Sequence, residues 1–284
     1  MHSVEFNFVK MEGLGNDYIF VDLIRNPHLN EANITREAFI RKISSRSTGI
    51  GSDGLVLIKW NQPNNMFEMR MFNADGSEAR MCGNALRCIG HYVFTKRQKG
   101  ANQINVLTGG GVHRLTRQIH APNMIQATMG EVKINPNEYK FTASQRNFTG
   151  HLVEVGNFHY VAVWPFESED LFSAENTERM QQAAEHVQTE HPLYNVNFLA
   201  VLNDRHVKLC TVERGSGLTL ACGTGAAATA AVCVKMGLVK SNEVDVVMRG
   251  GTLHIGVTLI NNQILVNAIG KANTVFEGTC RISE

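Results

Sequence analysis

The chain has 284 residues, 43% of them hydrophobic and 19% charged, with a formal net charge of +1. That is enough apolar material for two ordinary domains, and the near-neutral balance excludes the basic field by which proteins hold nucleic acid or an anionic membrane surface. Six cysteines are too sparse for a disulfide scaffold, and Cys82/Cys88 and Cys222/Cys233 are spaced too widely for a zinc pair.

Residues 4–10 alternate and predict a strand; 13–17 predict a turn and 18–23 a second strand. Residues 35–45 predict a helix capped by Thr35, with Phe39, Ile40 and Ile43 as its apolar stripe. Strands follow at 55–60 and 66–72, a turn at 73–77, a helix at 84–96, and strands at 104–108 and 112–116. Pro122 marks a linker at 121–123. Beyond it the order repeats, with strands at 124–129, 151–155 and 159–164, a polar helix at 175–189, and strands at 196–201 and 207–212. A helix at 224–236 stops at Gly237, and strands at 244–248, 253–259 and 263–268 complete the half. Short connections favour antiparallel pairing. Residues 226–232 are apolar all round, so their helix is buried. The expected fold is α/β of the α+β type, each half a mixed, mostly antiparallel sheet wrapped around a central helix.

Two small-residue motifs carry the chemistry. Met81-Cys82-Gly83-Asn84 and Ala221-Cys222-Gly223-Thr224 lie 140 residues apart (222 − 82). Asn73 and Glu213 each lie nine residues before their cysteine, and Gly15-Asn16 and Gly156-Asn157 precede it by 66 and 65. This is the pattern of an internal duplication with one cysteine per half, and it places one active site between two similar domains. A cysteine at a helix N-terminus meets unpaired N–H groups and partial positive charge, which favour thiolate and bind an anion. Two such ends gripping one carboxylate would set a sulfur on each face of the adjacent carbon, which suits racemisation or epimerisation by proton removal and return. The other cysteines, Cys88, Cys210, Cys233 and Cys280, read as buried hydrophobes.

Other readings stay open at this point. Gly223-Thr224-Gly225 with Ala228 fits a dinucleotide fingerprint, which should follow a strand. Cys222 with His159 could serve a cysteine hydrolase, although that leaves Cys82 without a role. A binding protein that kept the fold and lost catalysis is a third.

The ordered set Gly13-Leu14-Gly15-Asn16-Asp17, Phe72 to Ser77, Met81 to Asn84, Gly156-Asn157 with His159, Asn195, Glu213-Arg214-Gly215, Ala221 to Gly225 and Val275 to Gly278 resembles the diaminopimelate epimerase family over nearly the whole length. The resemblance implies two pseudo-symmetric domains, 1–122 completed by a returning strand in 273–284, and 123–272, with the active site in the cleft between them. It implies Cys82 and Cys222 as the acid–base pair, with His159 and Glu213 tuning the thiols. The substrate carboxylate would sit on N–H groups near Gly83, Asn84, Gly223 and Thr224. Asn16, Asn73, Asn157, Asn195, Glu213 and Arg214 would line the rest of the substrate pocket, Arg214 offering a guanidinium fork to a carboxylate.

The implied reaction is interconversion of LL- and meso-diaminopimelate, towards lysine and peptidoglycan, with no cofactor and no metal. Phe158 stands where the family usually has proline, and Gly54 where some members have glutamine. The alternative is therefore a cofactor-independent racemase of another amino acid, of histidine or proline type. Glu5, Lys10 and Glu12 interrupt the N-terminal apolar residues, and no run is long enough to span a bilayer, so a cytoplasmic enzyme is expected. Its partner would be a small amino-acid substrate, with no nucleic acid and no membrane, and a homodimer is compatible with the sequence.

Overall fold

The computed structural model describes residues 3–165 and 170–283. It divides into two compact units, Met1–Ala127 with Gly270–Glu284, and Thr128–Ile269.

In unit 1, β1 (Ser3–Gly13) and β2 (Asn16–Asp22) form a hairpin. Leu14 (φ 56) and Gly15 (φ 84) are both left-handed, the primed-turn geometry that matches strand twist. A leucine there costs about 1 kcal/mol or more, yet its side chain is buried. The helices α1 (Glu31–Ile34) and α2 (Glu37–Ser44) lead to β3 (Gly54–Asn61), parallel to β2. Thr35 does not cap α2. It closes α1, donating Oγ1–H to the Glu31 carbonyl at 2.9 Å, because Asn30 starts a helix earlier by accepting from the Ala32 N–H. β4 (Met66–Asn73) returns antiparallel to β3, and β5 (Glu78–Ala79) folds back on β4. α3 (Gly83–Tyr92), extended by a π turn at Val93–Arg97, crosses to β6 (Gln103–Thr108), parallel to β4. β7 (Gly111–Arg117) follows antiparallel, then β8 (Met124–Ala143).

Unit 2 repeats the order. The hairpin of β9 (Arg146–Val155) and β10 (Asn157–Val163) leads through α4 (Ala174–Glu190) to β11 (Tyr194–Val201), parallel to β10. β12 (His206–Glu213) is antiparallel to β11 and carries β13 (Gly217–Leu218). α5 (Gly223–Lys235) then crosses to β14 (Glu243–Met248), parallel to β12, before β15 (Gly251–Ile260) and β16 (Gln263–Lys271). β17 (Asn273–Ser283) belongs to unit 1, where it pairs antiparallel with β1. The sheet-around-a-helix architecture expected from sequence is present. The strand expected at 124–129 instead runs to Ala143 and pairs with β9 well before His151. Its ladder shifts register between Ile134 and Glu138, an irregularity that accommodates Pro136, and this broken alternation hid the strand.

Strand register makes the duplication residue-specific. Tyr18 pairs with Gly54 as His159 pairs with Asn195, and Val56 pairs with Met71 as Asn197 pairs with Thr211. The offset is 141 before the β3–β4 and β11–β12 hairpins (159 − 18) and 140 after them (211 − 71), because the second hairpin is one residue shorter.

Every α5 residue from Gly223 to Cys233 is buried. The helix ends at Gly237 (φ 70), whose N–H reaches the Val234 carbonyl while the Leu238 N–H reaches Cys233 at 2.8 Å, a Schellman closure. Under its N-terminus lies Asn197, fully buried, donating to His159 Nδ1 and the Tyr160 carbonyl, both at 3.0 Å, and accepting from Thr211 Oγ1 at 3.0 Å. The backbone carbonyl fixes which end of the amide donates, so His159 carries its proton on Nε2. Complete burial holds the imidazole down to about 3 and hence neutral.

Two predictions follow from this network. Alanine is normally the better helix residue by about 1 kcal/mol. At Gly225, however, a methyl would overlap the pinned Asn197 Oδ1 and lie 3.2 Å from Thr211 Oγ1. Overpacking of about 1–3 kcal/mol then decides the sign, so Gly225→Ala lowers the midpoint of thermal unfolding; a raised midpoint refutes the packing argument. His159 binds its proton in the unfolded chain near pH 6.5 but in the fold only near 3. The unfolded state is therefore favoured as pH falls through that window, and urea midpoints should drop from pH 7 to 4 more steeply in the wild type than in His159→Gln.

Candidate active site

In unit 1, Cys82 is the N-cap of α3, in extended conformation (φ −138, ψ 118), with no side-chain capping bond. The first intrahelical bond runs from the Leu86 N–H to the Cys82 carbonyl at 2.9 Å, so the N–H groups of Gly83, Asn84 and Ala85 precede it. Cys82 is half-buried, and the Tyr18 hydroxyl lies 3.2 Å from its sulfur. Arg87, one turn into α3, is completely buried. It donates from Nη1 to the Gly83 carbonyl (3.1 Å) and from Nη2 to Asn84 Oδ1 (2.6 Å), and burial pushes its guanidinium down. The β1–β2 turn packs on this helix end: a methyl on Gly13 would meet the Asn84 carbonyl at 3.3 Å. That brings half-buried Asn16 to the α3 N-terminus. Asn73, exposed at the end of β4, donates to Ser77 Oγ at 3.0 Å and shapes its own turn.

In unit 2, Cys222 caps α5 in the same extended conformation (φ −121, ψ 111). Its sulfur accepts from the Gly225 N–H at 3.4 Å and lies 3.6 Å from Thr224 Oγ1. Glu213, ending β12, accepts from Thr219 Oγ1 at 2.6 Å and from the Cys222 thiol; burial raises its carboxyl against the pull of those two bonds. Asn195 accepts the Arg214 N–H at 2.9 Å, fixing the turn from which the exposed Arg214 guanidinium projects. Asn157 follows Gly156 (φ 67) in the tight β9–β10 turn.

The duplication therefore pairs Cys82 with Cys222, Gly83 with Gly223, Asn84 with Thr224, Asn16 with Asn157, Tyr18 with His159, Gly54 with Asn195, and Asn73 with Glu213. Sequence reasoning singled out neither Tyr18, Arg87, Thr219 nor Asn197. A signal for the first existed: the 141-residue offset that carries Asn16 to Asn157 carries Tyr18 to His159. Phe158, the departure from the family pattern, stacks on Tyr194 (5.3 Å between ring centres), which packs against the core beneath α4. Strand alternation turns it to the face opposite His159.

The remaining thiols are held protonated by burial, Cys210 at about 11 and Cys233 at about 12, with Cys88 and Cys280 also raised. A cavity of about 310 Å³ in unit 1 is lined by Phe8, Phe20, Asp22, Arg25 and Tyr92, away from Cys82, and its buried polar groups already bond each other, as Tyr92 does Asp22 at 2.8 Å. Among the described residues no three His, Cys, Asp or Glu side chains cluster as a metal would need, and no helix is long and apolar enough to cross a membrane. The dinucleotide reading fails on its context, since only the two-residue antiparallel β13 precedes Gly223.

The family model for diaminopimelate epimerase matches residues 8–135 and 151–275. The diaminopimelate epimerase of Acetivibrio thermocellus is 37% identical over 98% of this chain and 99% of its own, and that of Desulfovibrio desulfuricans 36% identical over 97% and 98%. Among solved structures, a hydroxyproline epimerase from Agrobacterium vitis superposes with TM-score 0.76 at 15% identity, over 100% of this chain and 93% of that one. A phenazine biosynthesis protein from Bacillus anthracis gives 0.71 at 15%, over 99% of each chain. The last two share the fold. The near full-length sequence matches go further, and the chain belongs to the diaminopimelate epimerase family.

Proposed function

We propose that the protein is an isomerase that interconverts LL- and meso-diaminopimelate, with Cys82 and Cys222 as its two bases. The observation that carries the mechanism is the placement of both cysteines as N-caps of duplicated helices. In one direction the thiolate of one cysteine takes the Cα proton, forming an S–H bond as the C–H bond breaks. The electron pair moves into the carboxylate as an enediolate-like charge. The opposite thiol returns its proton to Cα from the other face, so one thiol and one thiolate are exchanged and the atoms balance.

The Cα–H is a very weak acid, so charge stabilisation matters more than the base. N–H groups of Gly83, Asn84, Gly223 and Thr224, fixed at helix ends before any intrahelical partner, meet the carboxylate where charge grows. Each such donor is typically worth on the order of 10²–10³ in rate. Glu213 accepts the Cys222 S–H and keeps it aimed. His159 is neutral, so it can offer only an N–H from Nε2, not a positive charge. Arg214, Asn16, Asn73, Asn157 and Asn195 serve the distal amino-acid end, Arg214 through its fork. Phe158 motivated a racemase of another amino acid. Its ring lies on the α4 face of β10, away from His159, and so gives that reading no support.

Purified, reduced protein incubated with LL-diaminopimelate in D₂O should lose the Cα–H signal by proton NMR as the meso isomer appears. Exchange of proline or histidine instead, with diaminopimelate untouched, would overturn the substrate assignment. Cys82→Ala and Cys222→Ala should each abolish epimerisation. Near-normal turnover by either variant refutes the two-base mechanism.

A further inference from the structure

Tyr18 is 3% exposed, and its ring packs edge-on against Phe20 with centres 6.3 Å apart. The hydroxyl is thereby fixed 3.2 Å from the Cys82 sulfur. In β2 it occupies the place that His159 occupies in β10.

We propose that Tyr18 is a positioning residue for Cys82, donating its O–H to the sulfur when Cys82 is a thiolate and accepting the S–H when it is a thiol. This rests on the two-thiol reading of the site and deepens it. The chemistry suits a residue whose partner changes protonation state in every turnover. A phenol can reverse its role in a hydrogen bond without moving, whereas a carboxylate only accepts and an ammonium only donates. Donation to a charged sulfur is the stronger of the two bonds, so the contact as a whole favours thiolate.

Arg87 acts in the same sense. It is completely buried, and the two oxygens its Nη atoms meet, Gly83 O and Asn84 Oδ1, are both neutral. Its electrostatic neighbours are Cys88, Cys82, Tyr18 and Glu12. Burial keeps Cys88 protonated, so negative charge near this guanidinium falls to Cys82 or Glu12. Unit 2 is built differently. There a carboxylate, Glu213, accepts from Cys222 while the Gly225 N–H donates to the same sulfur. The duplicated frame thus surrounds the two sulfurs differently, Cys82 with a phenol that can reverse its role and Cys222 with a separate donor and acceptor.

The test is Tyr18→Phe, which removes only the hydroxyl. Iodoacetamide alkylation of Cys82 and Cys222 is followed separately by peptide mass spectrometry from pH 5 to 10, beside thermal unfolding. Cys82 should react about tenfold more slowly at pH 7, with its pH midpoint moved up and that of Cys222 unchanged. The acidic limb of kcat/KM should move up with it. An unmoved Cys82 midpoint overturns the proposal. Should Tyr18→Phe unfold, 4-aminophenylalanine at position 18 keeps the shape, stays neutral from pH 5 to 10 and donates more weakly than a phenol; the Cys82 midpoint should then move up, and an unmoved one overturns the proposal equally. Alkylation reads the thiol without turnover, so a shifted midpoint in a protein that epimerises nothing refutes the proposed function and leaves the Tyr18 contact standing.

Discussion

Each unit depends on a helix that has no face to offer water. α5 is mostly alanine, glycine and valine, and every residue from Gly223 to Cys233 is buried. Such a helix is stable only when strands cover it, which is why β9 to β12, β14 and β15 pack around it rather than stacking as a flat layer. α3 meets the same constraint with two buried polar side chains, Asn84 and Arg87, the arginine turning its Nη donors to the helix's own first turn. The end of each helix is then the one place where backbone N–H groups lack helical partners. Cysteine is a weak cap compared with serine or aspartate, which are worth about 1 kcal/mol there. Cys82 makes no capping bond, and Cys222 makes only a 3.4 Å contact. A sulfur at this position gives up helix stability and leaves the N–H groups for an anion.

The two halves share backbone register but solve their interiors differently. Where unit 2 places Asn197 against Gly225, unit 1 places Val56 at the equivalent strand position and Ala85 at the equivalent helix position. A buried amide needs four satisfied hydrogen bonds and room, and the glycine supplies the room. Valine needs none, and alanine fits. The polar network of unit 2 in turn holds His159 in one tautomer, while unit 1, with Tyr18 at the same site, needs no such support because a phenol has a single polar atom to place.

Much of this was legible in the sequence for a physical reason. The apolar helices, the glycine-rich caps and the alternating strands are local signals, and the matched cysteine motifs tie the halves together across 140 residues. What escaped reading had weak local signals or was set by distant contacts. Thr35 looked like a cap because the helix that Asn30 starts has only four residues, too few to show a period. The long β8–β9 ladder was hidden by Pro136 and a register shift, where alternation fails. Tyr18 looked like one more apolar strand residue, since what distinguishes it is a hydroxyl that reaches a residue 64 positions away. Arg87 carried no local signal of its own, and the structure buries it completely within α3.

Burial alone does not single out the two thiols proposed as bases. Cys222 is 5% exposed and Cys210 3%, a difference too small to separate them. What separates them is the company of the sulfur. Cys210 lies within a strand, with a carbonyl oxygen 3.7 Å away as acceptor for its S–H, and burial there favours the neutral thiol. Cys222 has a backbone N–H, a threonine hydroxyl and a carboxylate around it, donors and an acceptor together, at the positive end of a helix. A sulfur so placed can be stabilised with or without its proton. An acid–base group that must change state in each turnover needs both, and no degree of burial provides it.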